Sequence, residues 1–199
     1  INGGTAGISG AGNIAINSTG TGTVKFSGTN TYSGTTSISG GILWLSSAGS
    51  LGSTTAVSVA SGAELDISSV SITATPTITF NGGNGVGTLG ALYAVTGSGT
   101  ATFSGAITLA SGTTGFGVKT GGTLLLQTGL ISGSGNLLVN PDTANTTGKL
   151  QIDSTSNNYT GTTSIYAGIL QVKSLANASL VSSVGNPTSK VITLGNTNI

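Results

Sequence analysis

The sequence predicts an all-β chain wound as a parallel β-helix (β-solenoid) of about nine coils, and three observations carry that prediction. The stretch Asn30 to Leu45 returns as Asn157 to Val172 at a constant offset of 127 residues, as from Tyr32 to Tyr159. Within each block apolar residues fall on every second position, as in Leu43 and Leu45 or Leu170 and Val172, which is the two-residue period of a strand with one buried face. Charged residues make up 5% of the chain and glycines number 35 of 199, so short strands separated by Gly, Asn and Ser turns replace the helices and charged surface of an average domain. A β-sandwich fits the short strands but gives no reason for self-similarity at this length. In a solenoid each coil buries its inner face on its neighbours, so similar strands recur.

Taken in order, Ile8-Ser9-Gly10-Ala11-Gly12-Asn13 reads as a glycine-rich turn into a strand with Ile14 and Ile16 on one face, and it returns as Ile131 to Asn136, 123 residues later. The four-residue difference places an insertion in the Asn140 to Gly148 turn, where Pro141-Asp142 is a loop signal. Val24-Lys25-Phe26 then corresponds to Leu150-Gln151-Ile152. Strands are expected at Ile38, Leu43/Leu45, Val57/Val59, Leu65/Ile67, Ile72 to Phe80, Phe103, Ile107/Leu109, Val118, Leu124/Leu126, Ile165 and Leu170/Val172, each with these residues inward. Asn81 to Gly99 loses phase and reads as an extended loop or a coil of unusual shape. With coils of ~20–25 residues and ~4.8 Å per rung, the rod is about 40 Å long. The 199 residues form one β-helical segment, with copy one of the super-repeat at about 8–130 and a truncated copy two at about 131–199.

The tyrosine blocks, Asn-x-Tyr-x-Gly-x-Thr-x-Ile followed by Gly-Ile-Leu, and the preceding Ile-Ser-Gly-x-Gly-Asn resemble the autotransporter-associated β-strand repeat of passenger regions in large bacterial surface proteins. The resemblance implies a right-handed parallel β-helix, secreted and surface-displayed, that serves as a stalk and a scaffold assisting secretion.

Composition excludes several functions. The chain has no Cys, His, Met or Arg, which removes disulfides, thiolate or imidazole metal sites and Cys or His catalysis, and no cofactor is expected. Five scattered lysines and a net charge of +1 make no basic stripe for nucleic acid. No apolar run approaches the roughly 18 residues of a membrane span.

Four patterns bear on chemistry. Glu64 and Asp66 lie two apart on one strand face, at the ~5–9 Å spacing that glycosidases use, but without the denser acidic cluster and basic residues that position substrate; a solvated outer face is the expected reading. Gly85-Val86-Gly87-Thr88-Leu89-Gly90 matches the dinucleotide fingerprint in letters only, with no helix after it and no acid at the required distance. Thr73, Thr75, Thr77 and Thr79 line one strand face, a pattern that would suit ice binding if neighbouring coils repeated it, and they do not. Trp44 and Tyr166 alternate away from the inward residues, so they are the candidate surface contacts for a polysaccharide or a partner. Asn13, Asn30, Asn136 and Asn157 stand at corresponding turns and read as structural, tolerating a left-handed corner and bonding from coil to coil.

The expected function is a non-enzymatic extracellular scaffold or stalk, in adhesion or in fibre or sheath assembly. A polysaccharide-binding module is the alternative, and a β-helical hydrolase or lyase the third reading. Ile1 and Ile199 interrupt coils without a polar cap, so an interior position in a longer rod, or end-to-end association with other copies, is expected.

Overall fold

The computed structural model describes residues 7–177 and 179–187 and the backbone of 192–194; the terminal residues on which the end-cap expectation rests lie outside these. The chain is an all-β parallel solenoid of about seven turns. The first two coils hold β1 (Ile14–Asn17) with β2 (Thr23–Phe26), then β3 (Thr36–Gly40) with β4 (Ile42–Leu45). The third holds β5 (Ala56–Val59) and β6 (Glu64–Ile67), and the fourth β7 (Thr77–Phe80), β8 (Leu92–Ala94) and β9 (Thr100–Phe103). Next come β10 (Ile107–Leu109), β11 (Thr113–Val118) and β12 (Thr123–Leu126), then β13 (Ile131–Gly133), β14 (Asn136–Val139) and β15 (Lys149–Ile152). β16 (Thr163–Ile165), β17 (Ile169–Val172) and β18 (Ile192–Leu194) complete the described strands.

They stack into a six-stranded sheet (β1, β3, β5, β7, β10, β13), an eight-stranded sheet (β2, β4, β6, β8, β11, β14, β16, β18) and a four-stranded sheet (β9, β12, β15, β17). Every strand pairing is parallel, as the alternation required. β3 and β4 lie in different sheets, so Gly40-Gly41 is a corner and not a hairpin. Gly41 has φ +74°, and a Cβ there would lie 2.5 Å from the Gly22 carbonyl oxygen, so both the left-handed backbone and the space call for glycine.

Inward residues form registered apolar columns. Ile16, Ile38, Val59, Phe80 and Leu109 stack through the six-stranded sheet, and Phe26, Leu45, Ile67, Ala94 and Val118 through the eight-stranded one. All ten are buried, each large side chain contributing ~1.5–3 kcal/mol, and Phe80 meets Phe116 edge to face at 5.3 Å across the interior. The expected inward residues Val57, Leu65, Leu124 and Leu126 are buried with them, as is Leu43. Ile165, Leu170 and Val172, expected buried, are half-buried against the core; for Leu170 and Val172 the reason is that β17 is the last strand of its sheet among the described residues.

Seven turns replace the expected nine because coils are longer and less regular than assumed. Thr23 pairs with Ile42, a step of 19 residues, whereas Ile78 pairs with Ile107, a step of 29. The extra length lies in excursions between strands, chiefly 68–76, 81–91 and 140–148. The strand expected from Ile72 to Phe80 forms only at Thr77–Phe80, after Pro76, which has no amide hydrogen to give a ladder. The out-of-phase Asn81 to Gly99 stretch is a loop with a short 3-10 turn, Val86–Thr88, and a strand, β8, that the sequence did not announce.

The repeated blocks keep their local bonds but change faces. The Tyr32 and Thr36 hydroxyls bond at 2.8 Å, and those of Tyr159 and Thr163 at 2.5 Å. Asn13 Oδ1 accepts from the Thr35 amide and Asn136 Oδ1 from that of Thr162. Yet β3 and β4 sit in the six- and eight-stranded sheets, and their counterparts β16 and β17 in the eight- and four-stranded ones. The 127-residue offset is therefore five rungs plus one face. The repeated asparagines depart from the expectation in backbone conformation only. Among the described residues positive φ outside glycine occurs at Thr88, Asn140 and Ser179, so none of the four occupies a left-handed corner. Their side chains bond backbone groups of adjacent coils, as expected.

Candidate functional site

The polar side chains with unusual surroundings lie on the outer face of the eight-stranded sheet. Register aligns Lys25, Trp44, Asp66 and Tyr93 on successive rungs of β2, β4, β6 and β8. Alternation turns Leu65 and Ile67 inward, and so turns Glu64 and Asp66 outward. The expected solvated face is not what they meet: Glu64 is 0% and Asp66 8% exposed. The cover is the 84–90 excursion, whose Val86 amide donates to Glu64 Oε2 at 2.7 Å.

Glycine makes this cover possible. Gly83 bridges Thr114, its amide donating to the Thr113 carbonyl and its carbonyl accepting from the Gly115 amide, so the excursion leaves the sheet beside β11 and rejoins it at β8. On the outward side of β11, a Cβ on Gly117 would lie 1.7 Å from the Leu89 carbonyl oxygen, and one on Gly115 would lie 2.9 Å from both Asn84 Oδ1 and Pro141 Cγ. Gly117→Ala is therefore expected to lift the excursion from the sheet and expose the two acids. Hydrogen exchange should show faster exchange at the Val86 amide while β12 and β15 keep their protection, whereas unchanged exchange at Val86 would contradict this account.

Burial raises the affinity of both carboxyls for protons. Asp66 is pushed up to about 9, first by desolvation and then by its hydrogen bond to, and the charge of, Glu64. Desolvation also raises Glu64, with Asp66 and the Val86 amide pulling the other way. Glu64 Oε1 and Asp66 Oδ1 find no partner among groups that already carry a hydrogen. Burial beneath the excursion and the closeness of the two acids both favour a protonated form of the pair.

Trp44 is half-buried, its Nε1–H donating to Ser68 Oγ at 2.6 Å and the Lys25 Nζ standing 4.1 Å from its ring centroid. Tyr93 is covered, and burial pushes its hydroxyl up despite its contact with Asn145. That asparagine belongs to the 140–148 loop, where the sequence placed the insertion. Asn140, with φ +47°, accepts from the Val118 amide at 2.6 Å and donates to the Gly148 carbonyl at 2.9 Å. Asp142 accepts from the Ala144 amide and from Asn145 Nδ2, while the Thr120 amide donates to Asn145 Oδ1. Between this loop and the 84–90 excursion lies a cleft of about 390 Å³, lined by Asn84, Thr88, Leu138, Pro141, Asp142, Thr143 and Tyr166. Tyr166 thus lines a cleft that alternation alone did not reveal, because both walls come from loops remote in sequence.

Among the described residues no group of three or more Cys, His, Asp or Glu side chains could hold a metal ion, and no helix is long and apolar enough to cross a membrane. The dinucleotide-like Gly85 to Gly90 stretch is the excursion itself, with a three-residue 3-10 turn where a phosphate-binding helix would be required.

Comparison with known proteins finds similarity in two stretches and to one large relative. Residues 18–45 and 147–172 match the passenger-associated-transport-repeat model. The chain carries two passenger-associated transport repeats. Each match runs from the strand before a buried tyrosine to the second strand after it, β2 to β4 and β15 to β17. The passenger-type solenoid is also distantly similar to the adhesin BmaC autotransporter of Brucella suis biovar 1 (strain 1330), at 31% identity over 172 residues. That alignment covers 86% of this chain and 4% of the adhesin, so the chain spans a small fraction of that relative's length. No solved structure matches the chain.

Proposed function

We propose that this passenger-type solenoid is a non-catalytic, extracellular scaffold on a bacterial cell surface, holding adhesive surface away from the cell. The observation that carries the reading is the unbroken parallel ladder. From β2 to β18 each rung of the eight-stranded sheet bonds the next, and both repeats contribute rungs and corners to that stack. Length along one axis is what such a stack supplies, since each coil touches only its neighbours. Similarity to an adhesin passenger supports adhesion as the use of that length, and the much greater size of that adhesin supports a rod continued by further coils or other copies. The acids that would serve a hydrolase or lyase are sealed under the 84–90 excursion, which argues against that reading.

The test is display of the chain as the passenger of a heterologous outer-membrane translocator. Cells should gain adhesion to surfaces or to one another, and the purified chain should release no products from a polysaccharide panel. Product release lost on Asp66→Asn would replace the scaffold reading with an enzymatic one, and display without gain of adhesion would remove the adhesive part.

A further inference from the structure

We propose that the cleft between the 84–90 excursion and the 140–148 loop is a binding site for a neutral glycan, with Tyr166 as the ring against which a sugar packs. The assignment deepens the adhesive reading and rests on it only for its biological use; the site stands on its own geometry. Its volume, about 390 Å³, falls in the range of small-ligand sites, ~300–1,000 Å³. Its chemistry is mixed in the way a sugar requires. Tyr166 offers a ring and Pro141 and Leu138 apolar surface for C–H faces, while Asn84, Thr88, Thr143 and Asp142 offer hydrogen-bonding groups for hydroxyls.

Two observations mark these polar groups as fit for an external partner. Asn84 Oδ1 is buried against β11 and accepts no hydrogen bond within the protein, so rotation of this cleft-lining side chain toward a sugar hydroxyl would gain a bond and break none made by that oxygen. Asp142 uses one lone pair on each oxygen to hold its own loop, and a carboxylate has about four such positions. The lining holds one carboxylate and no lysine, so uronic or sialic acids would meet repulsion without compensation, which selects neutral sugars. Both walls are fixed before any ligand arrives. Asn140 and Asn145 pin one loop to the coil below, and the Val86 amide, bonded to Glu64, pins the other.

Trp44 does not share the site. It stands on the second rung of the eight-stranded sheet and Tyr166 just past the seventh, about 24 Å away at ~4.8 Å per rung.

The experiment is saturation-transfer NMR of the purified chain against maltotriose, cellotriose, mannotriose and N-acetyllactosamine, with sialyllactose and polygalacturonate as anionic probes, followed by titration of any binder. At least one neutral probe should bind, with affinity falling about tenfold or more in Tyr166→Ala and recovering in Tyr166→Phe, which keeps the ring. Far-UV spectra and thermal midpoints of the variants separate loss of binding from loss of fold; if Tyr166→Ala unfolds, Thr88→Val, on the opposite wall, should weaken binding in its place. No binding at millimolar probe, binding of the anionic probes alone, or binding abolished by Trp44→Ala and untouched by Tyr166→Ala would each overturn the assignment. Those outcomes leave the scaffold reading standing, since adhesion by displayed cells is measured separately.

Discussion

Replacing Asn157 with alanine is expected to destabilise the solenoid by ~2–5 kcal/mol, while the same change at Asn136 costs less than about 1 kcal/mol. Both residues recur in the repeat, and the sequence gives them equal standing. In the fold Asn157 is 0% exposed and links three successive coils: its Oδ1 accepts from the Ile131 amide at 2.8 Å, and its Nδ2 donates to the Ser183 carbonyl at 2.9 Å. Truncation strands a buried donor on one coil and a buried acceptor on another, each worth ~1–3 kcal/mol when left without a partner. Asn136 bonds the Thr162 amide at an exposed corner, where water substitutes for the lost side chain. Asn30, with bonds from the Ile8 amide and to the Ser50 carbonyl but a half-buried upper partner, should fall between the two. Urea midpoints for the three alanine variants give the ranking, and hydrogen exchange at Ile131 localises the opening. Equal losses at Asn157 and Asn136 would mean that these side chains only fill space.

The alternation of Leu43 with Leu45, or of Val57 with Val59, fixed their burial because a strand's period is set by covalent geometry and needs no knowledge of what lies opposite. Glu64 and Asp66 obey the same alternation, and their outward direction was legible. Their burial was not, because the lid arrives from 20 residues downstream and depends on two glycines, Gly115 and Gly117, a further 25 residues on. The cleft beside Tyr166 failed to show for the same reason: its walls are excursions from the strands, and excursions carry no period. The coil count erred because it divided the chain by a constant coil length, whereas insertions such as 140–148 change the length of a coil without changing the rung it supplies. The exchange of faces between the two repeats follows from that slack. A corner motif such as Tyr159 with Thr163 needs a neighbouring coil beneath it, and any of the three faces supplies one.

Stability should fall as pH rises from about 4 to about 9, and Asp66→Asn should abolish most of that dependence. The unfolded chain ionises Asp66 near 3.9, whereas in the fold the group is pushed up to about 9, with Glu64 raised beside it. Between those values the native state holds a proton that the unfolded state has lost. Linkage then sets the sign: stability declines with rising pH by about 1.4 kcal/mol per unit for one proton, and levels off above the folded value. The groups that face the pair act in known directions. The Val86 amide favours the ionised Glu64; Tyr93, aligned with Asp66 on the next rung, is neutral throughout this range; and Lys25 stands two rungs away, beyond Trp44. In Asp66→Asn the amide takes over the donor role of the shared proton toward Glu64, so the pair keeps its hydrogen bond without needing to hold a proton. The variant should be the more stable protein at pH 8 and lose its advantage near pH 4, with the difference between the two unfolding curves widening steadily in between. A variant that is less stable at every pH, or a wild-type profile flat from pH 4 to 9, would show that both acids are ionised beneath the 84–90 excursion and that some other charge balances them.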